Sequence, residues 1–343
     1  MARFSMKALA GIALAGAALG SAHAAEVTLR YTHFWPSASR AHAEVFEAWG
    51  KSVEQASGGR IRVQLFPAQT LAKADGSYQA TVNGVADVVS TAQGYTAGRF
   101  PLSQIVEFPG LGTTALQSGC ILQSLYDKGM LEKEYADTKV LYMFTTGPGV
   151  LHTRDKSVPN PDALKGLRIR NPAAIAGQVL QKAGARNVSM PAPEAYESMQ
   201  RGVIDGTAFP WEAMQVFRLN ELAKHHTDVP IYSTIFVTAM NQRTYDRLPD
   251  DLKKVIDDHS GPEWQRRAAA VFDALDVEGR TAAQKAGNEI ITVDNPMQDA
   301  AWGPVLKSVV DDYLAGLKKQ RLPGAEVYAQ AQALKASCPA MAN

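Results

Sequence analysis

The sequence predicts an α/β chain built as two lobes, and three observations carry that prediction. A strand–helix–strand–helix–strand order from Glu26 to about Thr91 recurs from Gly166 to about Phe209. Both units end in a Gly-Val-x-Asp step, Gly84 to Asp87 and Gly202 to Asp205, with a tyrosine six residues before the glycine, Tyr78 and Tyr196. A long helical pattern then follows Pro249. Alternating strands and helices give a mostly parallel sheet covered by helices. Two such units give two facing lobes, and ligands in open α/β sheets sit beyond the carboxyl ends of the strands.

The first residues read as a signal peptide rather than as part of the fold. Arg3 and Lys7 precede the apolar run Ala8 to Leu19, and Ala22-His23-Ala24 fits a small-x-small cleavage site. The run is about twelve residues where a membrane span needs roughly 20. No cysteine follows it, so lipid attachment there is excluded. An exported protein cut after about Ala24 is expected.

In the first unit, Val27 to Tyr31 alternates like a strand. A helix follows with Val45, Phe46, Trp49, Val53 and Ala56 on one stripe, stopped at Gly58-Gly59. Ile61 to Leu65 alternates again, a short helix covers about Gly76 to Asn83, and Val88-Val89 begins the third strand. In the second unit the strands are Leu167 to Arg170, Val188 to Met190 and the run after Asp205. The helices are Ile175 to Ala183 and Glu194 to Gln200. His225-His226 reads as a helix end; neighbours on a helix point about 100° apart and chelate one ion poorly. Trp264, Ala268, Val271, Leu275 and Ala282 fall near helical spacing from Glu263 to about Lys285. That helix would be about 35 Å long at 1.5 Å per residue, enough to run along both lobes.

Composition narrows the function classes. The formal charge is +1 over 343 residues, so there is no broad electrostatic footprint for nucleic acid, and any ligand charge is met locally. No G-x-S-x-G elbow, Walker-type loop or H-E-x-x-H is present, and an enzyme is not expected. No cofactor or metal is expected, since no Cys or His set has zinc spacing. Cys120 and Cys338 are the two cysteines; oxidation to a disulfide is expected of an exported protein, with two buried thiols as the alternative. Arg168 and Arg170 flank Ile169, and side chains two apart in a strand share a face. Buried arginines need an anion. That anion is either an internal carboxylate or one that arrives from outside.

The chain resembles the solute-binding proteins of TRAP (tripartite ATP-independent periplasmic) transporters. The resemblance rests on VEQASGGRIRVQLFPAQTL at 53–71, NGVADVV at 83–89, GRFPLSQIVEFPG at 98–110, LKGLRIRNP at 164–172 and GVIDGTAFPWEAM at 202–214. It implies a two-lobed periplasmic-binding-protein architecture with a long helix crossing both lobes, a periplasmic location, and a small-molecule carboxylate ligand passed to TRAP membrane subunits. It also implies that Arg170, at the arginine of the KGLxxR strand, grips that carboxylate, with Arg168 in support or paired to a nearby acid. Lobe 1 is expected to hold 25–148 with about 235–275; lobe 2, 149–234 with about 276–343 and the C-terminal helices. A monomer is expected. An ABC-type receptor and an exported hydrolase are the alternatives.

Two departures from the family pattern bear on the ligand. Gly149 falls where many relatives keep a second arginine, and Phe209 replaces the asparagine of DGxxNP. Both remove polar grip. Burying a second carboxylate without a second cation is costly, so a monocarboxylate with an apolar or aromatic body is expected. Phe34 and Trp35 end the first strand and either line the cleft or fill the core. Tyr78, Gln93, Tyr95, Trp211 and Glu212 complete the candidate contacts. Glu212 either takes a ligand hydroxyl or amine or pairs with Arg168.

Overall fold

Leu29 and Tyr31 alternate inward along Val27–His33 (β1), and both are fully buried. In this computed structural model, which describes residues 25–340, β1 pairs in parallel with Ile61–Phe66 (β2) and Val88–Ala92 (β3) on its two sides. The expected signal peptide and its cleavage site lie outside the described residues. Between β1 and β2 the chain is helical from His42 to Ala56, a π turn at His42–Glu47 leading into Ala48–Ala56 (α1). Val45, Phe46, Trp49 and Val53 face the sheet, whereas Ala56 is exposed, so the apolar stripe ends one turn earlier than expected. Ser77–Val82 (α2) leads into β3, and Ala115–Asp127 (α3) follows it.

Next comes a strand that the local pattern did not reveal, Thr138–Thr153 (β4). The second unit follows: Arg168–Asn171 (β5), Ala174–Lys182 (α4), Arg186–Ser189 (β6), Ala195–Gln200 (α5) and Gly206–Phe209 (β7). Here β5 lies in parallel between β6 and β7, as β1 lies between β2 and β3. The repeat extends to its side chains. The Arg30 backbone N–H and Nε donate to Asp87 Oδ2 at 2.9 and 2.8 Å; the same two groups of Arg168 donate to Asp205 Oδ2 at 2.9 and 3.0 Å. Each Gly-Val-x-Asp step thus ends in a carboxylate that clamps the first strand of its own unit.

Trp211–Val216 (α6) is followed by His225–Asn241 (β8), antiparallel to β4 along most of its length. His225-His226 therefore starts a strand and not a helix end. Its two rings point to opposite faces, His226 buried on one and His225 bonded to Glu289 on the other. The sheet order is β2-β1-β3-β8-β4-β7-β5-β6, so β4 and β8 stand at the centre and join the two units. Their register shifts at Val140/Tyr142, Thr145/Pro148 and Gly149/Leu151, irregularities that bend the pair between the lobes.

Gln242–Asp246 (α7) and Asp250–Asp258 (α8) lead to the expected long helix, Pro262–Lys285 (α9). Proline in the first turn removes only an N–H with no helical acceptor. Trp264, Ala268, Phe272, Leu275, Gly279 and Ala283 are its buried stripe; Val271 and Ala282, expected in it, sit beside it half-buried. The helix packs on α3 and the 42–47 turn in one lobe and on α6 in the other. A Cβ on Gly279 would stand 2.3 Å from the Trp211 carbonyl oxygen, so only glycine allows that approach. Glu289–Thr292 (β9) pairs with the start of β8, Trp302–Lys319 (α10) packs on α4, and Gly324–Leu334 (α11) packs on α3. Beyond α11, Cys338 is disulfide-bonded to Cys120 of α3, with Cα atoms 5.7 Å apart. Among the described residues no helix is long and apolar enough to cross a membrane.

Candidate functional site

The carboxyl end of β5 carries Arg170 into the interior, where its side chain is fully buried. No carboxylate lies within ion-pair distance of it among the described residues. Its Nε donates to the Met190 carbonyl at 3.0 Å, Nη1 to that of Ala208 at 3.3 Å, and Nη2 to the Tyr95 hydroxyl at 3.4 Å. A guanidinium has five N–H donors, so three are committed and two are left for another acceptor. The guanidinium carbon lies 4.1 Å from the centroid of the Phe209 ring. Phe209, expected as a ligand contact that lacks the polar grip of an asparagine, is the platform that sets the plane of the cation; a desolvated contact of this kind stabilises by about 2 kcal/mol.

Arg168 has a different fate. It lies at the start of β5, half exposed, and is held by Asp205 and not by Glu212.

A small cavity of about 20 Å³ opens beside Arg170, room for about one water. Phe34, Trp35, Tyr95, Arg170, Phe209 and Glu212 of the sequence-derived candidates line it, with Thr146, Pro172, Ala192, Phe217, Thr234 and Phe236 added by the fold. Phe34 stacks on Trp35 at 4.0 Å, and its ring lies 6.3 Å from both Phe217 and Phe236. Six of the lining side chains are therefore aromatic. The Tyr95 hydroxyl accepts from the Ala192 N–H at 2.9 Å and from Arg170, which leaves its own proton to donate. Glu212 is 3% exposed and its Oε2 has no hydrogen-bond partner. Burial first, and then the nearby Asp276 carboxylate, push its carboxyl well above the usual range.

Three candidates lie elsewhere. Tyr78 points into the core of the first lobe, its hydroxyl 3.0 Å from Thr138 Oγ1 and 3.1 Å from Asp137, which it donates to. Gln93 sits one layer behind the cavity, donating to the Phe236 carbonyl and accepting from Tyr135. Trp211 begins α6 one residue before Glu212, and the helical step of about 100° turns it to the other side. There its ring stands 4.8 Å from that of His152 and 4.9 Å from that of His226. Trp211 lines a larger, open groove of about 910 Å³ along α9, away from Arg170.

The two lobes meet over the cavity. Tyr95 reaches from one to Ala192 and Arg170 of the other, and a Cβ on Gly94 would stand 2.4 Å from that of Ala173. Gly149 has an equally local cause. A Cβ there would fall 1.9 Å from the Tyr232 ring, whose hydroxyl donates to the Ala208 carbonyl. Tyr232 occupies the space that a second arginine at this position would need.

The chain matches the family described as bacterial extracellular solute-binding protein, family 7, over residues 31–316. It is similar to a marine-metagenome TRAP solute-binding protein specific for aromatic acid ligands, solved with metahydroxyphenylacetate. That match is 31% identical, covers 91% of this chain and 99% of that one, and has a TM-score of 0.86. A TRAP solute-binding protein from Rhodoferax ferrireducens, solved with copurified benzoate, is 32% identical over 90% of this chain and 98% of its own, TM-score 0.85. A curated solute-binding protein of Albidiferax ferrireducens is 24% identical over 306 residues, 84% of this chain and 88% of its own.

Proposed function

The chain belongs to the bacterial extracellular solute-binding proteins of family 7, the periplasmic receptors of TRAP transporters, and from that premise we propose that it captures a monocarboxylate with an aromatic or apolar body and delivers it to the membrane subunits. The observation that supports this most is Arg170: a fully buried cation that forms no ion pair among the described residues, with two uncommitted N–H donors beside aromatic side chains. A guanidinium offers two parallel donors matched to the two oxygens of a carboxylate. Tyr95 supplies a third donor. The cavity as it stands holds about one water, so a ligand body enters only when the lobes part; it then meets Phe34, Phe217 and Phe236, where burial gains about 25 cal/mol per Å². A second carboxylate would face these rings with no second cation.

The solved relatives at 31% and 32% identity carry metahydroxyphenylacetate and benzoate, which accords with this class. The family assignment removes the ABC-type alternative. Binding without chemistry, export with cleavage after about Ala24, a monomeric state, and lobes divided on the central strands near 148/149 and 234/235 complete the proposal.

Calorimetry on ligand-stripped protein tests it with benzoate, phenylacetate, mandelate, succinate and malate. Binding of one or more aromatic acids is expected. Binding of succinate or malate alone would overturn the reading.

A further inference from the structure

Glu212 is the second ionisable group at the cavity, and nothing so far uses its side chain. Its carboxyl and the Arg170 guanidinium line one cavity, yet no ion pair joins them. Such a pair would ordinarily close on itself in a dry interior, where opposite charges attract most strongly. Here each is held apart. Arg170 is fixed by the Met190 and Ala208 carbonyls and by the Phe209 ring. Glu212 is fixed by its backbone, whose N–H donates to Asp276 Oδ1 at 2.9 Å. The Glu212 carboxyl keeps one oxygen unpartnered in a buried setting, a state that costs free energy unless something fills it.

Resting on the reading that Arg170 holds the ligand carboxylate, we infer that Glu212 selects ligands bearing a neutral hydroxyl on the body remote from that carboxylate. A buried carboxylic acid both donates through its O–H and accepts through its carbonyl oxygen. A hydroxyl is complementary to both. The charge balance agrees, because Arg170 and one carboxylate already neutralise each other. An ionised Glu212 would be left as an unpaired buried anion, which the neighbouring Asp276 disfavours further. The occupant is therefore a hydroxylated aromatic monocarboxylate in preference to the bare ring.

The test sets three proteins against four ligands on the full chain. Calorimetry compares benzoate with its meta- and para-hydroxy derivatives and with aminomethylbenzoate, in wild type, Glu212→Gln and Glu212→Leu. Wild type is expected to bind one hydroxybenzoate about tenfold or more tighter than benzoate, the effect of one well-made buried hydrogen bond. Glu212→Gln keeps most of that preference, since the amide also donates and accepts. Glu212→Leu reduces the ratio of hydroxybenzoate to benzoate affinity to under about threefold. Equal binding of benzoate and both hydroxybenzoates by wild type overturns the inference and leaves the Arg170 reading standing. So does a preference unchanged in Glu212→Leu, or tighter binding of aminomethylbenzoate. No binding of any aromatic acid overturns both.

Discussion

Asp276 accepts a hydrogen bond from the backbone N–H of Glu212 at 2.9 Å, so the long helix α9 caps the helix that carries a cavity residue. One turn earlier on α9, Asp273 accepts from the Ala115 and Leu116 N–H groups at 2.7 and 3.0 Å and caps α3 of the other lobe. Helix N-termini present unpaired N–H groups and a partial positive charge. Two carboxylates three residues apart thus tie one strap to both lobes.

Asp276→Ala is expected to lower stability by about 1 kcal/mol, the usual worth of an N-terminal cap, and to weaken binding through the loosened Glu212. Asp276→Asn keeps an acceptor and loses less. Burial pushes the Asp276 carboxyl up to about 7. The folded state therefore holds a proton that the unfolded state releases between about 3.8 and 7, and the Asp276 contribution to stability falls as pH rises through that window. Urea unfolding of wild type against Asp276→Asn at pH 5 and pH 8 reads the slope; an identical pH dependence would remove Asp276 from it.

Arg170→Ala should abolish most binding, a loss of about 2–5 kcal/mol for a truncated buried charge pair. Arg170→Lys should also bind poorly, because an ammonium lacks the two-pronged geometry and the flat face that stacks on Phe209. Calorimetry with whichever aromatic acid binds wild type decides this. Near-wild-type affinity in Arg170→Ala would place the carboxylate elsewhere.

Gly94→Val is expected to fold normally yet bind weakly, since its Cβ would meet Ala173 at 2.4 Å and wedge the lobes apart. Ligand should favour the closed arrangement by its better contacts there. Small-angle scattering on saturation should show a smaller radius of gyration for wild type and little change for the variant. Equal contraction of both proteins would mean that this contact does not gate closure.

The His152–His226 pair predicts an acid-sensitive fold. Their Nδ1 atoms lie 2.8 Å apart, and burial lowers His226 from 6.5 to about 4. A depressed histidine contributes stability that is complete above about 6.5 and is lost as pH falls toward 4, of order 3 kcal/mol for this shift. The difference in unfolding free energy between wild type and His226→Gln, measured from pH 7.5 to pH 4.5, should therefore change most between 6.5 and 4.5. A constant difference would show that His226 does not titrate there.

The Cys120–Cys338 bridge closes a loop of 218 residues. In the chain-entropy model such a closure adds up to about 4–5 kcal/mol, and measured gains are often smaller. Cys338→Ser should lower the unfolding midpoint, and intact mass after alkylation without reductant should show no labelled thiol in wild type. Two alkylated thiols in unreduced protein would refute the bridge.

What the sequence could carry was local. Apolar spacing placed β1, β2, β5 and α9 within a few residues, because each buries one stripe against one neighbour. Spacing alone could not separate Arg168 from Arg170: both share a face of β5, and what distinguishes them is Asp205, supplied from 37 residues away. Thr146, Thr234 and Phe236 reach the cavity on β4 and β8, whose pairing is antiparallel and long-range, so no local period announces it. Trp211 and Glu212 are adjacent in the chain and face different cavities; that choice depends on where α6 is capped. Tyr78 shares its spacing with Tyr196, yet tertiary packing buries the first and leaves the second hydrogen-bonded at the surface to Glu221.

The central position of β8 also governs when the molecule can be assembled. β3 has β1 on one flank and residues 236–240 of β8 on the other, so the first lobe lacks its inner strand until Met240 has been made. Contacts so distant in sequence form slowly. With this strand order the amino-terminal half cannot complete its sheet until most of the chain has been made.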